Sequence, residues 1–148
     1  MDLAKPNLLL ADDDIDDCIF FKEVLDEMQI PTNLTIINNG VELITYLFKN
    51  SNNLPDVLFL DLNMPLKNGF ECLSELRKDE KLKHLPVIIF STSFNIEVVN
   101  SLYEKGANYY VRKPAEFIKL KKVVQLVLDL VSKKNHITSS KEDFVLLS

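Results

Sequence analysis

The 148-residue chain is 47% hydrophobic and 26% charged, the proportions of a folded globular domain rather than of a membrane-embedded or disordered chain. Its formal net charge is −5, and the lysines of the C-terminal half are diluted by Glu and Asp instead of forming a basic stripe, which argues against direct binding to nucleic acid. Cys18 and Cys72 lie apart in apolar periodic segments without a CxxC partner, no apolar run approaches the roughly 18 residues of a membrane span, and the opening MDLAKPN lacks a secretion-signal layout. A soluble cytoplasmic protein with reduced thiols is expected.

Along the chain, short apolar runs suited to buried strands occur at Asn7 to Ala11, Leu34 to Ile37, Val57 to Leu60, Val87 to Phe90 and Tyr109 to Val111. Between them apolar residues recur at three and four spacing, first as Ile15, Cys18, Ile19, Phe21, Val24, Leu25 and Met28. Further helices are predicted over Val41 to Lys49, Gly69 to Lys78, Asn95 to Lys105 and Glu116 to Ser132, with prolines 31, 55, 65, 86 and 114 marking connections. Strands alternating with helices imply parallel βαβ units and a doubly wound α/β domain. The last helix carries one apolar face of Phe117, Leu120, Val124, Val127, Leu128 and Val131, and a second of Val123, Leu126 and Leu130 that either widens the buried face or covers the tail or a partner. Beyond it a polar linker containing His136 leads to Phe144, Val145, Leu146 and Leu147, a short apolar end read as disordered or docked. The expected division is a domain over 5–132 and a tail over 133–148, with no room for a further domain.

The chemistry concentrates where strands end. Five carboxylates crowd positions 12–17 directly after the run Leu8 to Ala11. Like charges 4 Å apart repel by about 4 kcal/mol at an effective dielectric near 20, so this cluster either faces water or holds a cation. In open parallel sheets, ligand sites form beyond the carboxyl ends of the strands. The first strand delivers Asp12 and Asp13 there, the third Asp61, the fourth Ser91 and Thr92, and the fifth leads through Arg112 to Lys113 and Pro114. A hard dication would relieve the repulsion of three converging carboxylates; Mg²⁺, which keeps several waters, takes one or two carboxylates plus phosphate oxygens and needs no protein cage, fits better than calcium or zinc, and these exits offer no Cys or His.

The segments LLLADDD, DVLFLDLNMPLKNGFE, PVIIFSTS and GANYYVRKP, each at a strand exit and in that order, resemble the receiver domains of two-component response regulators over about residues 5 to 131. The resemblance implies a flavodoxin-like (βα)5 fold with a five-stranded parallel sheet in the order 2-1-3-4-5. It implies that Asp61 is the phosphoacceptor for a sensor histidine kinase, and that Asp12, Asp13, Asp61 and the main-chain carbonyl of Asn63 hold Mg²⁺. Lys113 would pair with the phosphoryl oxygens, and Ser91 would donate its hydroxyl to them. Tyr110 would be the switch aromatic, unless it is simply core, and the bond before Pro114 would be cis. Thr92, where many receivers carry a smaller residue, would narrow access to Asp61. Such a protein is not a turnover enzyme. The pattern is most similar to stand-alone regulators paired with phytochrome-type kinases, some of which dimerise through helix 4, strand 5 and helix 5. Its signal would leave by contact with a protein effector or by phosphorelay to a histidine phosphotransfer protein.

Simpler roles compete at several positions. Asp14, Asp16 and Asp17 suit the first turn of a helix, whose dipole favours acids. His84, in the polar stretch KLKHLP, and His136 suit neither metal binding nor phosphate carriage, and Gly69 suits a positive φ or a close approach. Two rival functions are a haloacid-dehalogenase-type phosphohydrolase, which also places an Asp nucleophile and Mg²⁺ after a first strand, and a degenerate receiver acting only as a binding module. The first lacks a cap domain and carries Asp16 where that family's motif has a hydroxyl or Val. The second conflicts with the full set of phosphorylation residues.

Overall fold

The computed structural model describes residues 5–133 and 140–146. Strands and helices alternate as β1 (Asn7–Ala11), α1 (Ile15–Glu27), β2 (Asn33–Ile37), α2 (Gly40–Lys49), β3 (Val57–Leu60), α3 (Gly69–Lys78), β4 (Val87–Ser91), α4 (Ile96–Glu104), β5 (Tyr109–Arg112) and α5 (Phe117–Ser132). A 3-10 turn at Lys141–Asp143 then leads into a sixth strand, β6 (Val145–Leu146). Four helices begin where an Asp or Asn can accept hydrogen bonds from the first turn: Asp14, Asn39, Asn68 and Asn95 each cap one, and Asn68 and Glu71 close a reciprocal capping box.

The strands pair in the order 2-1-3-4-5-6, all parallel. The order 2-1-3-4-5 that the resemblance implies stands, but the sheet has six strands, not five. β6 joins the free edge of β5, with Val145 opposite Tyr110 and Leu146 opposite Val111. The Tyr110 amide donates to the Phe144 carbonyl at 2.9 Å, and the Phe144 ring sits against Tyr103 and Tyr110 with only 1% of its surface exposed. The buried ring, the packing of Val145 and Leu146 and the β5–β6 ladder together hold residues 140–146 on the sheet edge. His136 and Leu147 lie outside the described residues.

Helices cover both faces. One core combines Leu9, Leu58 and Ile89 of the strands with Leu43, Leu73 and Leu102 of α2, α3 and α4. The other combines Leu10, Phe59 and Phe90 with Phe21 of α1 and Leu120 and Val124 of α5. Each fully buried Leu or Phe contributes roughly 1.5–3 kcal/mol. Val123 joins the buried face of α5 and Leu130 packs partly against it, leaving Leu126 exposed, so most of the second apolar stripe widens this core.

Two features position the site. Ala11 pairs with Leu60 in register, so Asp12 and Asp61 leave adjacent strands at the same level, about 5 Å apart across the ladder. A Cβ on Gly69 would lie 2.4 Å from the Asp61 carbonyl oxygen, so the glycine serves the close approach and not a positive φ. The bond before Pro114 is trans, as are all described peptide bonds, rather than cis as the resemblance implies; without a tertiary constraint trans is the lower-energy form.

Candidate functional site

Asp12, Asp13, Asp61 and Lys113 meet at the carboxyl edge of the sheet. Backbone ladders fix three of them: the Asp12 amide donates to Ile37, the Asp61 amide to Ala11, and the Lys113 amide to Ser91. One oxygen from each of the three aspartates lies within 4.8 Å of the others, with Asp12 and Asp61 buried and Asp13 exposed. Asp12 Oδ1 accepts from the Asp14 amide at 2.9 Å. Asp12 Oδ2 is buried without an aligned hydrogen-bond donor: Lys113 Nζ comes within 2.7 Å, an ion-pair distance, but outside hydrogen-bond angles.

The Lys113 ammonium is close to three carboxylates, at 2.7 Å from Asp12, 2.8 Å from Asp17 and 3.7 Å from Asp61. Burial alone would lower its pKa, but its close contacts with the Asp12 and Asp17 carboxylates and the charge of Asp61 outweigh burial and raise it, so it stays charged. Asp61 moves the other way. Burial, reinforced by Asp12 and opposed by Lys113 and the amides of Leu62 and Asn63, pushes its carboxyl up to about 7. Without a cation, this carboxylate and a proton are therefore in balance near neutral pH. A set of hard oxygen donors around an unsatisfied buried oxygen fits Mg²⁺ or Mn²⁺, and such a cation would also displace that proton.

The other predicted residues frame this centre. The Ser91 hydroxyl is fully buried, 3.2 Å from Ser93 Oγ, and accepts from the Ser93 amide at 3.3 Å. Thr92 and Asn63 are exposed at the rim. Tyr110 is completely buried, its hydroxyl donates to the Ser93 carbonyl, and its ring meets Phe94 edge to face. His84 is exposed in the loop before β4. Cys18 and Cys72 are buried and free, and burial raises their thiols to about 11 and 12, so neither is a reactive thiolate.

Two participants escaped the sequence reading. Asp14 does cap α1, as expected of an acid at a helix start, but Asp17 turns toward Lys113. The available signal was the cap itself: it makes Asp17 the third helical residue, beside the buried stripe of Cys18 and Phe21. Phe144, next to Tyr110, had no local signal because its partners lie more than 30 residues earlier in the chain.

With this geometry in view, residues 8–125 match the response regulator receiver domain, and the chain belongs to that family, the phosphoacceptor domains of two-component signalling. The response regulator Rcp1 of Synechocystis sp. is 34% identical over 123 residues, covering 80% of this chain and 83% of Rcp1. Among solved structures, the phosphorylated cyanobacterial phytochrome response regulator RcpA superposes with a TM-score of 0.77 at 30% identity, covering 86% of this chain and 94% of RcpA. The Mn²⁺-bound form of Rcp1 gives 0.74 at 31% identity, over 86% and 95% of the two chains. These relatives favour neither the phosphohydrolase nor the pure binding module. Among the described residues no helix is long and apolar enough to cross a membrane.

Proposed function

We propose that the receiver domain of this chain, residues 5–132, takes a phosphoryl group on Asp61 from a cytoplasmic sensor histidine kinase of the phytochrome-associated type. The observation that carries this reading is the convergence of Asp12, Asp13 and Asp61 on one 4.8 Å cluster with Lys113 against it. Mg²⁺ held by these aspartates and the Asn63 carbonyl would neutralise charge developing on the transferring group.

The chain's own residues do the rest. An Asp61 oxygen attacks phosphorus in line; the new P–O bond forms as the P–N bond of phosphohistidine breaks, and the electron pair returns to the imidazole nitrogen. Lys113 meets the phosphoryl oxygens with an ammonium already charged and desolvated. The Ser91 hydroxyl, held by Ser93, can exchange that partner for a phosphoryl oxygen and so draw the β4–α4 loop inward. Tyr110 reports this movement through its bond to the Ser93 carbonyl, placing the readout on the α4, β5 and α5 face. The outer surface of that face, on which β6 covers the β5 edge, would meet a protein effector, a histidine phosphotransfer protein or a second copy of the chain.

Incubation with acetyl phosphate and Mg²⁺ is expected to add one phosphoryl group per chain, detected by intact mass, and Asp61→Asn is expected to take none. Labelling that persists in Asp61→Asn, or multiple turnover of a phosphomonoester, would overturn the reading.

A further inference from the structure

We infer that Asp17 is a positioning residue for phosphoryl transfer, acting through Lys113; the inference rests on the phosphoacceptor reading above. Of the three carboxylates around the Lys113 ammonium, only Asp17 accepts from it with hydrogen-bond geometry, at 2.8 Å. Asp12 is nearer but misaligned, and Asp61 is 3.7 Å away. Those two other contacts are the ones the reaction draws on, because Asp12 and Asp61 belong to the cation cluster and Asp61 becomes the phosphorylated group. Asp17 lies outside that cluster. It is thus the hold on Lys113 that persists throughout the reaction.

Such a hold is needed because lysine is a flexible four-carbon stem with a mobile point charge. In this chain the ammonium also hangs beside the Phe90 ring, 5.6 Å from its centre, and next to a void of about 20 Å³ lined by Asp17, Phe20, Phe90, Lys113, Pro114 and Leu120. The ring is not a directional acceptor and the void is about the size of one water molecule, so neither fixes the ammonium, and Asp17 supplies the directed contact. An opposing effect is repulsion between the Asp17 carboxylate and an incoming phosphoryl dianion. The Lys113 charge in direct contact with Asp17 offsets that repulsion, and the Asp17 side chain is one-third exposed, so solvent screens what remains. The hold outweighs the repulsion.

The test uses Asp17→Ala, Asp17→Asn and Asp17→Glu in the full chain, with beryllofluoride as the phosphoryl analogue at saturating Mg²⁺ and binding followed by NMR. Asp17→Ala is expected to weaken beryllofluoride binding about tenfold, the low end for a lost charged hydrogen bond at a partly exposed site. Asp17→Asn should fall between, and Asp17→Glu should return to within about threefold of the unsubstituted chain. Affinity for Mg²⁺ alone should change less than about twofold, and a protected Lys113 ammonium resonance should disappear in Asp17→Ala. Unchanged or tighter beryllofluoride binding in Asp17→Ala overturns the inference, as does an equal loss of Mg²⁺ affinity, which would mark a deformed site. Failure of the unsubstituted chain to bind beryllofluoride through Asp61 would instead sink the phosphoacceptor reading itself.

Discussion

Two cations are withdrawn from water in this domain, and their surroundings differ in kind. Arg77, on α3, donates to three neutral acceptors: the Gly106 carbonyl at 2.9 Å, the Leu85 carbonyl at 2.9 Å and the Asn108 side chain at 3.0 Å. Lys113, at the carboxyl edge, has the carboxylates of Asp12, Asp17 and Asp61 as its charged partners. The guanidinium fork has fixed acceptors that no ligand competes for, so it clamps α3 to the loops that lead into β4 and β5; its pKa is lowered by burial, but it remains charged. The ammonium has partners that can be protonated, metallated or phosphorylated. Neutral acceptors make a buried cation structural, whereas exchangeable anionic ones let it take part in a switch.

The sharpest way to break this contrast is to remove each cation in turn. Lys113→Ala is expected to slow phosphate uptake at least about 100-fold while changing stability in Mg²⁺ by less than about 1 kcal/mol, since the bound cation still balances the charge of Asp12, Asp13 and Asp61. Arg77→Ala should do the reverse, costing about 3 kcal/mol in chemical denaturation through its stranded acceptors, with uptake by the folded protein within about twofold of normal. If Arg77→Ala slowed uptake as much as Lys113→Ala at intact stability, the division would fail.

A pH series sharpens it further. In chelator, folded Asp61 titrates near 7 and unfolded Asp61 near its ordinary 3.8. Between these values the folded chain holds a proton that the unfolded chain has lost, so this group's stabilisation, complete below pH 4, fades as pH rises and is gone above 7. Metal-free melts should therefore show stability falling by about 2–4 kcal/mol from pH 4 to 8 relative to Asp61→Asn. Parallel curves for the two proteins would contradict the shift. The smallest effect is expected at the rim: Thr92→Ala should speed decay of the aspartyl phosphate about two- to fivefold by opening access to Asp61, a change too small to see by mass but clear in a timed decay.

What could be read in the sequence was whatever is fixed locally. β1, β3 and the helices from Gly69 and Phe117 fall within a residue or so of expectation because apolar runs, Asn and Asp caps and prolines act over a few positions. The clustering of Asp12, Asp13, Asp61 and Lys113 followed too, since each is the first or second residue beyond a strand and parallel strands share one exit edge. Asp17 and β6 were harder for a shared reason. An acid in a first turn has an adequate local explanation, and so does a short apolar end after a polar linker, but the partners that decide them, Lys113 and Tyr110, are 96 and 35 positions away in register.

Gly69 has a mechanical meaning as well as a steric one. With the site of its absent Cβ only 2.4 Å from the Asp61 carbonyl oxygen and 2.9 Å from the Leu62 Cα, and its amide bonded to the Leu62 carbonyl, no compliant side chain separates the start of α3 from the main chain of Asp61. The contact is stiff, like a bearing rather than a spring. A backbone displacement at Asp61 therefore passes undamped into α3, whose own start is locked by the Asn68–Glu71 box and whose far end is pinned by Arg77.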